Sequence, residues 1–98
     1  MPLSEKQRKH LRRLAHALSP VVRLGQSGLT DAVVGEMDRA LDHHELIKVS
    51  VRISDREARD LALATLASRT LSDCIQRVGH VGVFFRKNRD LSKIVLPD

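Results

Sequence analysis

Few residues of this chain are of a type that could do chemistry: five histidines, one cysteine, the run His43-His44-Glu45 and two Gly-x-x-Gly stretches. Adjacent histidines on a helix point to different sides, so His43 and His44 cannot chelate a metal as an i, i+4 pair would. Their place at a helix end is accounted for by the favourable interaction of imidazolium with the macrodipole. His10 and His16 have no partner that spacing can place. Cys74, standing alone, cannot close an internal disulfide or build a cysteine-based zinc site, and its apolar neighbours read as a small buried hydrophobe. The chain is therefore expected to be non-catalytic, with no metal, cofactor or small-molecule substrate.

The glycine pairs are more informative. Residues 23–30 read RLGQSGLT, and residues 79–82 read GHVG. Glycine lacks Cβ, which allows positive φ and close approach by another backbone. Gly25 to Gly28 leave a short strand and enter a helix, so free N–H groups and a helix N-terminus could meet an anion together. Gly79 and His80 fall between two strands, where a tight hairpin suffices and Gly82 belongs to the returning strand. Neither stretch is a Walker loop or a dinucleotide fingerprint. Asp31 in the first helical turn would repel a phosphate placed directly on that N-terminus. A polymer backbone passing over Gly25–Gly28 remains compatible.

Charge supplies the missing attraction. The formal excess of +5 is carried entirely by residues 1–23, where Lys6, Arg8, Lys9, Arg12, Arg13 and Arg23 face Glu5 alone. Arg86, Lys87, Arg89 and Lys93 form a second, smaller cluster, and acidic residues gather between Asp31 and Asp60. This polarity is the footprint of a protein that meets a polyanion on one side. Arg52, Arg56 and Arg59 lie among Asp55, Glu57 and Asp60, a spacing that suggests local ion pairing. No apolar run approaches the roughly 20 residues needed to span a bilayer, and the first ten residues lack the apolar core of a secretory signal, so a cytoplasmic location is expected.

The elements that must position these groups follow from periodicity. Ser4 and Gln7 form a capping box for a basic first helix whose apolar stripe is Leu11, Leu14, Ala15 and Leu18, ending near Ser19 before Pro20. Val21, Val22 and Leu24 suggest a strand, and Thr30 caps a second helix with stripe Val33, Val34, Met37 and Leu41. In LIKVSVRI, Ile47, Val49, Val51 and Ile53 share one face, while Leu46, Lys48, Ser50 and Arg52 share the other. Ser54 and Glu57 suggest a second capping box opening a third helix to about Thr70. Residues 74–78 and 83–86 are short strands, and the closing LSKIVLPD is a tail that could add an edge strand. Ninety-eight residues make one domain. The expected architecture is a single α/β domain, helix–strand–helix–strand–helix–strand–strand, with one four-stranded mixed sheet packed with helices.

Phe84 and Phe85 are the only aromatics among Phe, Tyr and Trp, and at least one should be core. No multi-ring stacking platform is available, so recognition by phosphate, sugar and shape is favoured over base stacking.

The succession LRRLAHALSPVVRLGQSGLT, EMDRALDHHELIKV, VGHVGVFFRKN and IVLP resembles the YhbY-type CRM domain (chloroplast RNA splicing and ribosome maturation) across nearly the whole chain. The resemblance implies a fold related to the C-terminal domain of bacterial translation initiation factor 3. It also implies RNA binding and, for stand-alone bacterial members, association with the precursor of the large ribosomal subunit, with ribosomal proteins as further candidate partners. The family's loop falls on Gly25, Gln26, Ser27 and Gly28, its ELIKV segment on Glu45 to Val49, and its aromatic–arginine pair on Phe85 and Arg86. Many members carry a basic residue inside the loop, whereas Gln26 and Ser27 are neutral. The charge is therefore assigned to Lys6, Lys9, Arg12 and Arg13, with Arg23, Lys48 and Arg86 completing the expected RNA surface. Two other readings stay open: an adaptor that binds protein through the polar sheet face, and a generic DNA binder, since phosphate contacts alone do not separate the two nucleic acids.

Overall fold

A computed structural model describes residues 2–25, 28–89 and 92–98. The elements are α1 (Glu5–Ala15), β1 (Pro20–Leu24), α2 (Asp31–His44), β2 (Leu46–Val51), α3 (Arg56–Thr70), β3 (Asp73–Val78) and β4 (Val81–Phe85). They occur in the expected order and form a four-stranded sheet ordered β1-β2-β4-β3. β1 and β2 are parallel, joined by the α2 crossover, and the remaining pairs are antiparallel. The sheet is therefore mixed, with a β-α-β unit at one side and a hairpin at the other.

Strand alternation distributes the apolar residues to two unequal cores. Val22, Leu24, Ile47, Val49, Val51 and Phe84 pack on Val34, Met37 and Leu41 of α2 and on Ala62, Leu63 and Leu66 of α3. On the opposite face Leu46, Ile75, Val83 and Phe85 meet Leu11 and Ala15 of α1, with Leu3, Ile94 and Leu96 closing the margin. Both phenylalanines are buried, one in each core. Gly82 sits in β4 because a Cβ there would lie 2.7 Å from Leu63 Cδ2 and 2.8 Å from the Phe84 ring.

Several local expectations are corrected. α1 stops at Ala15, four residues before Ser19, and Leu18 N bonds Ala15 O in a turn instead of continuing the helix. Leu14, within α1, and Leu18, beyond it, are left partly exposed, at 39% and 38%. The N-cap of α3 is Asp55, not Ser54: its carboxylate accepts from Ala58 N at 2.9 Å, a stronger cap than a hydroxyl because it is charged. β4 begins at Val81, so the hairpin turn is only Gly79 and His80, with Gly79 at φ +59. The described part of the C-terminal tail adds no strand; it packs on α1, where Gln7 Nε2 donates to Pro97 O at 3.0 Å.

Candidate nucleic-acid interface

α1 presents its charge because Leu11 and Ala15 hold its opposite face down on the sheet. Ser4 Oγ accepts from Gln7 N, and Gln7 Oε1 accepts from Ser4 N, so the capping box fixes the first turn. Lys6, Lys9 and Arg13 are exposed, whereas Arg8 and Arg12 are half-buried along the flank. Arg12 pairs with Glu5 at 2.8 Å. That hydrogen bond and the Arg12 charge hold the Glu5 carboxyl below its ordinary range, with Arg8 and Lys9 adding to the effect. Arg8 reaches the sheet, donating to Cys74 O at 3.4 Å.

α1 covers only part of its sheet face. Beside it lies a groove of about 310 Å³, rimmed by Arg12, His16, Lys48 and Gln76 over a floor that includes Pro20 and Val83. Among the described residues no acidic side chain lines it. Lys48 is held there by register: it pairs with Pro20 on one side and Val83 on the other, at the centre of the open face. Arg23 pairs with Ser50, two residues along β2 from Lys48, so both cations project from the same face. Among the described residues no carboxylate comes within ion-pair distance of Lys48 or Arg23.

The Gly25–Gly28 loop begins directly after Arg23 and Leu24. Gly28 N donates to Gly25 O at 3.1 Å, which closes the turn. Gln26 and Ser27 lie outside the described residues. Gly28 has φ +81, a conformation that favours glycine over any residue with a Cβ. Apart from chain neighbours, no atom of the described residues lies within 4 Å of the place a Cβ would occupy at either Gly25 or Gly28. Internal packing therefore does not require the bareness of this loop. Asp31 pairs with Arg69 of α3 at 2.9 Å, and its side chain stays exposed.

Most of the helix-borne acidic residues belong to the other layer. Asp31, Asp38 and Asp42 of α2 and Asp60 of α3 are all ion-paired, with Arg69, Arg86 and Arg77. The linear charge segregation has become a two-sided molecule, basic over α1 and the open sheet face, with four ion-paired aspartates over α2 and α3.

Residues 3–86 match the family model for the CRS1 / YhbY (CRM) domain. The chain belongs to the CRM domain family. It is 45% identical over 95 residues to a Haemophilus influenzae protein named "RNA-binding protein", covering 97% of this chain and 95% of that one. It is 38% identical over 88 residues to the Pseudomonas aeruginosa "Probable RNA-binding protein PA4753", covering 90% and 85%. In three dimensions it superposes on the solution structure of SAV1595 from Staphylococcus aureus with a TM-score of 0.83 and 31% identity, over 98% of this chain and all of that one.

Within this CRM domain, Arg86, expected at the interface, and Glu45, at the head of the ELIKV segment, hold the fold together. Arg86 does not join the basic surface. It is half-buried, and its guanidinium donates to Asp38 Oδ1 (2.8 Å), Thr70 O (2.7 Å), Asp38 O (3.0 Å) and Asp42 Oδ1 (2.9 Å). The fork thereby ties the last turns of α2 and α3 to the end of β4. Glu45, at the head of the ELIKV segment, is fully buried at φ +64. Its carboxylate accepts from the backbone N–H groups of Asn88 (2.6 Å), Lys93 (2.5 Å) and Ile94 (2.9 Å). Burial raises its pKa, but the backbone N–H donors outweigh burial and hold it below the ordinary value. Lys93 Nζ adds a bond to His43 O at 2.6 Å. Glu45 is thus an anion latch for the C-terminal segment.

His16 and Gln76 carry no functional signal in the sequence. Only their convergence around one groove, from the C-cap of α1 and from β3, makes them neighbours, and no linear spacing marks that. His43 and His44 form an edge-to-face ring contact at 4.9 Å. Among the described residues no group of three or more His, Cys, Asp or Glu is placed to hold a metal ion, and no helix is long and apolar enough to cross a membrane. Burial pushes the Cys74 thiol up, away from the reactive thiolate.

Proposed function

We propose that this chain binds ribosomal RNA in a precursor of the large ribosomal subunit and assists its assembly without catalysis. The observation that carries the reading is that one strand, β1, runs from a cationic groove at Pro20, where none of the described lining residues is acidic, to the glycine pair Gly25 and Gly28 at its other end. The loop supplies backbone fit, and Lys6, Lys9, Arg12, Arg13, Arg23 and Lys48 supply charge. Relatives named RNA-binding proteins, aligned over nearly their full lengths, support the nucleic acid as RNA. The burial of both phenylalanines favours phosphate and shape recognition over base stacking.

About four phosphate contacts give a log–log salt slope near −3 on single-stranded RNA. Binding of a large-subunit ribosomal RNA transcript should follow that slope. Lys9→Glu with Arg13→Glu should weaken it strongly, and Gly28→Asp should weaken it by placing a side chain and a charge on the turn. Unchanged affinity in both folded variants, or equal affinity for duplex DNA, overturns the assignment. The partly exposed Leu14, Leu18 and Val21, which line an apolar groove of about 470 Å³, favour a protein-binding adaptor as the second reading. An adaptor would retain its partner in nuclease-treated lysate.

A further inference from the structure

The N-terminal end of α3 carries both signs of charge: Asp55 at its N-cap and Glu57 in its first turn suit its dipole, and the arginines beside them do not. Arg56 and Arg59 lie in its first turns, and Arg52 precedes it. The spacing suggests neutralisation by Asp55, Glu57 and Asp60, but the structure sends Asp55 and Asp60 elsewhere. Asp55 caps Ala58 N, and Asp60 pairs with Arg77 at 2.9 Å. Among the described residues no carboxylate lies within ion-pair distance of Arg52, Arg56 or Arg59. Arg59 donates to Ile53 O at 3.4 Å, a long bond that anchors the side chain without neutralising it.

Arg52, Ser54, Arg59 and His80 line one open depression of about 280 Å³, again with no acidic side chain. Two consecutive amides of β2 and its extension join this depression to the glycine turn. Val51 N donates to His80 O at 2.6 Å, and Arg52 N donates to Leu24 O at 2.7 Å. The Gly25–Gly28 loop and the Gly79–His80 hairpin therefore flank the same end of the sheet, with Arg52 between them. The second Gly-x-x-Gly stretch is a hairpin, as its context suggests, yet the fold brings it beside the first.

We propose that this depression holds a second phosphate group of the bound RNA. A strand leaving the Gly25–Gly28 turn crosses the end of the sheet at Arg52 and continues toward Arg59, Ser54 and His80. Guanidinium forks and a hydroxyl are suited to phosphate oxygens. The proposal rests on the RNA-binding reading above and extends it to a site off the α1 face.

The test measures binding of a labelled large-subunit ribosomal RNA transcript by fluorescence anisotropy over a salt series. Arg52→Gln with Arg59→Gln should lower affinity about five- to tenfold and make the slope shallower by about 0.7 for each phosphate that is no longer neutralised. Arg39→Gln on α2 makes a charge change outside the depression and should leave the slope as it was. Should the double variant fail to fold, Arg52→Gln alone serves, since no hydrogen bond of its side chain contributes to the described structure. A double variant that binds as the parent does, while Lys9→Glu with Arg13→Glu loses binding, overturns this site and leaves the RNA reading intact. If neither pair lowers affinity, the RNA surface itself is misassigned. An equal loss for Arg39→Gln would reduce the effect to long-range attraction and also overturn the site.

Discussion

Removing the Glu45 carboxylate should detach the C-terminal segment before it unfolds the domain. In Glu45→Ala, three N–H groups are deprived of a charged acceptor. Hydrogen bonds to charged groups contribute about 1.5–3 kcal/mol each, so simple addition gives about 4.5–9 kcal/mol. That sum is too large, because all three donors lie on one segment and can return to water together. The cost is limited to undocking the segment, whose apolar anchors are the partly buried Ile94 and Leu96. Relief of the burial cost of a carboxylate offsets a further part. The expected loss is about 2–4 kcal/mol, a large fraction of the roughly 5–15 kcal/mol that holds a domain of this size. Glu45→Gln should fall in the same range, since its amide replaces one acceptor oxygen with a donor facing N–H groups. Glu45→Gly should recover about 1 kcal/mol relative to alanine, because φ +64 costs a residue with a Cβ about that much. Urea titration gives the stability, and its m-value should fall if the segment is already undocked in the native state. Hydrogen exchange at Asn88, Lys93 and Ile94 locates the loss. A Glu45→Gln cost below about 0.5 kcal/mol with those three amides still protected would refute the latch.

The same carboxylate makes a signed prediction for pH. Its folded pKa is lowered, so its contribution is complete above the ordinary value of 4.5 and is lost as pH falls through the folded value. Acid titration should release the C-terminal segment in the parent, and Glu45→Gln should flatten that part of the curve. Arg86→Lys should destabilise by about 1–3 kcal/mol, because an ammonium cannot reproduce four bonds from a planar fork, while leaving the salt slope of RNA binding unchanged. Gly82→Ala should cost about 1–3 kcal/mol by thermal melting, since Leu63 and the fully buried Phe84 ring must move. Leu71→Gly should instead stabilise by about 0.5–1 kcal/mol, because Leu71 ends α3 at φ +54 with its side chain 85% exposed.

Much of the fold was legible in the order of residues because it depends on short-range rules. Alternation in LIKVSVRI named the core face of β2, and Ser4, Gln7 and Thr30 cap the helices they open. Helix ends were less legible. Pro20 marks where α1 must have ended, but the turn at Ala15 reflects how the chain leaves α1 to enter β1. Ser54 and Asp55 both satisfy capping chemistry, and the backbone entering α3 chose the carboxylate.

Sequence alone determined that this chain is one α/β domain, that its charge excess lies in the first quarter, and that its glycine pair stands between strand and helix. Those properties are set by periodicity, composition and neighbours along the chain. Tertiary structure alone decided which cations remain available. Arg86 looked like part of a basic cluster and is enclosed by two aspartates and two carbonyls. Arg52 and Arg59 looked neutralised by their neighbours and are not, because Asp60 reaches Arg77 on β3 and Asp55 turns to a backbone amide. A charge is paired by what lies within about 4 Å of it in space. Linear spacing reports that distance along a single helix and loses it wherever strands and helices from distant parts of the chain converge.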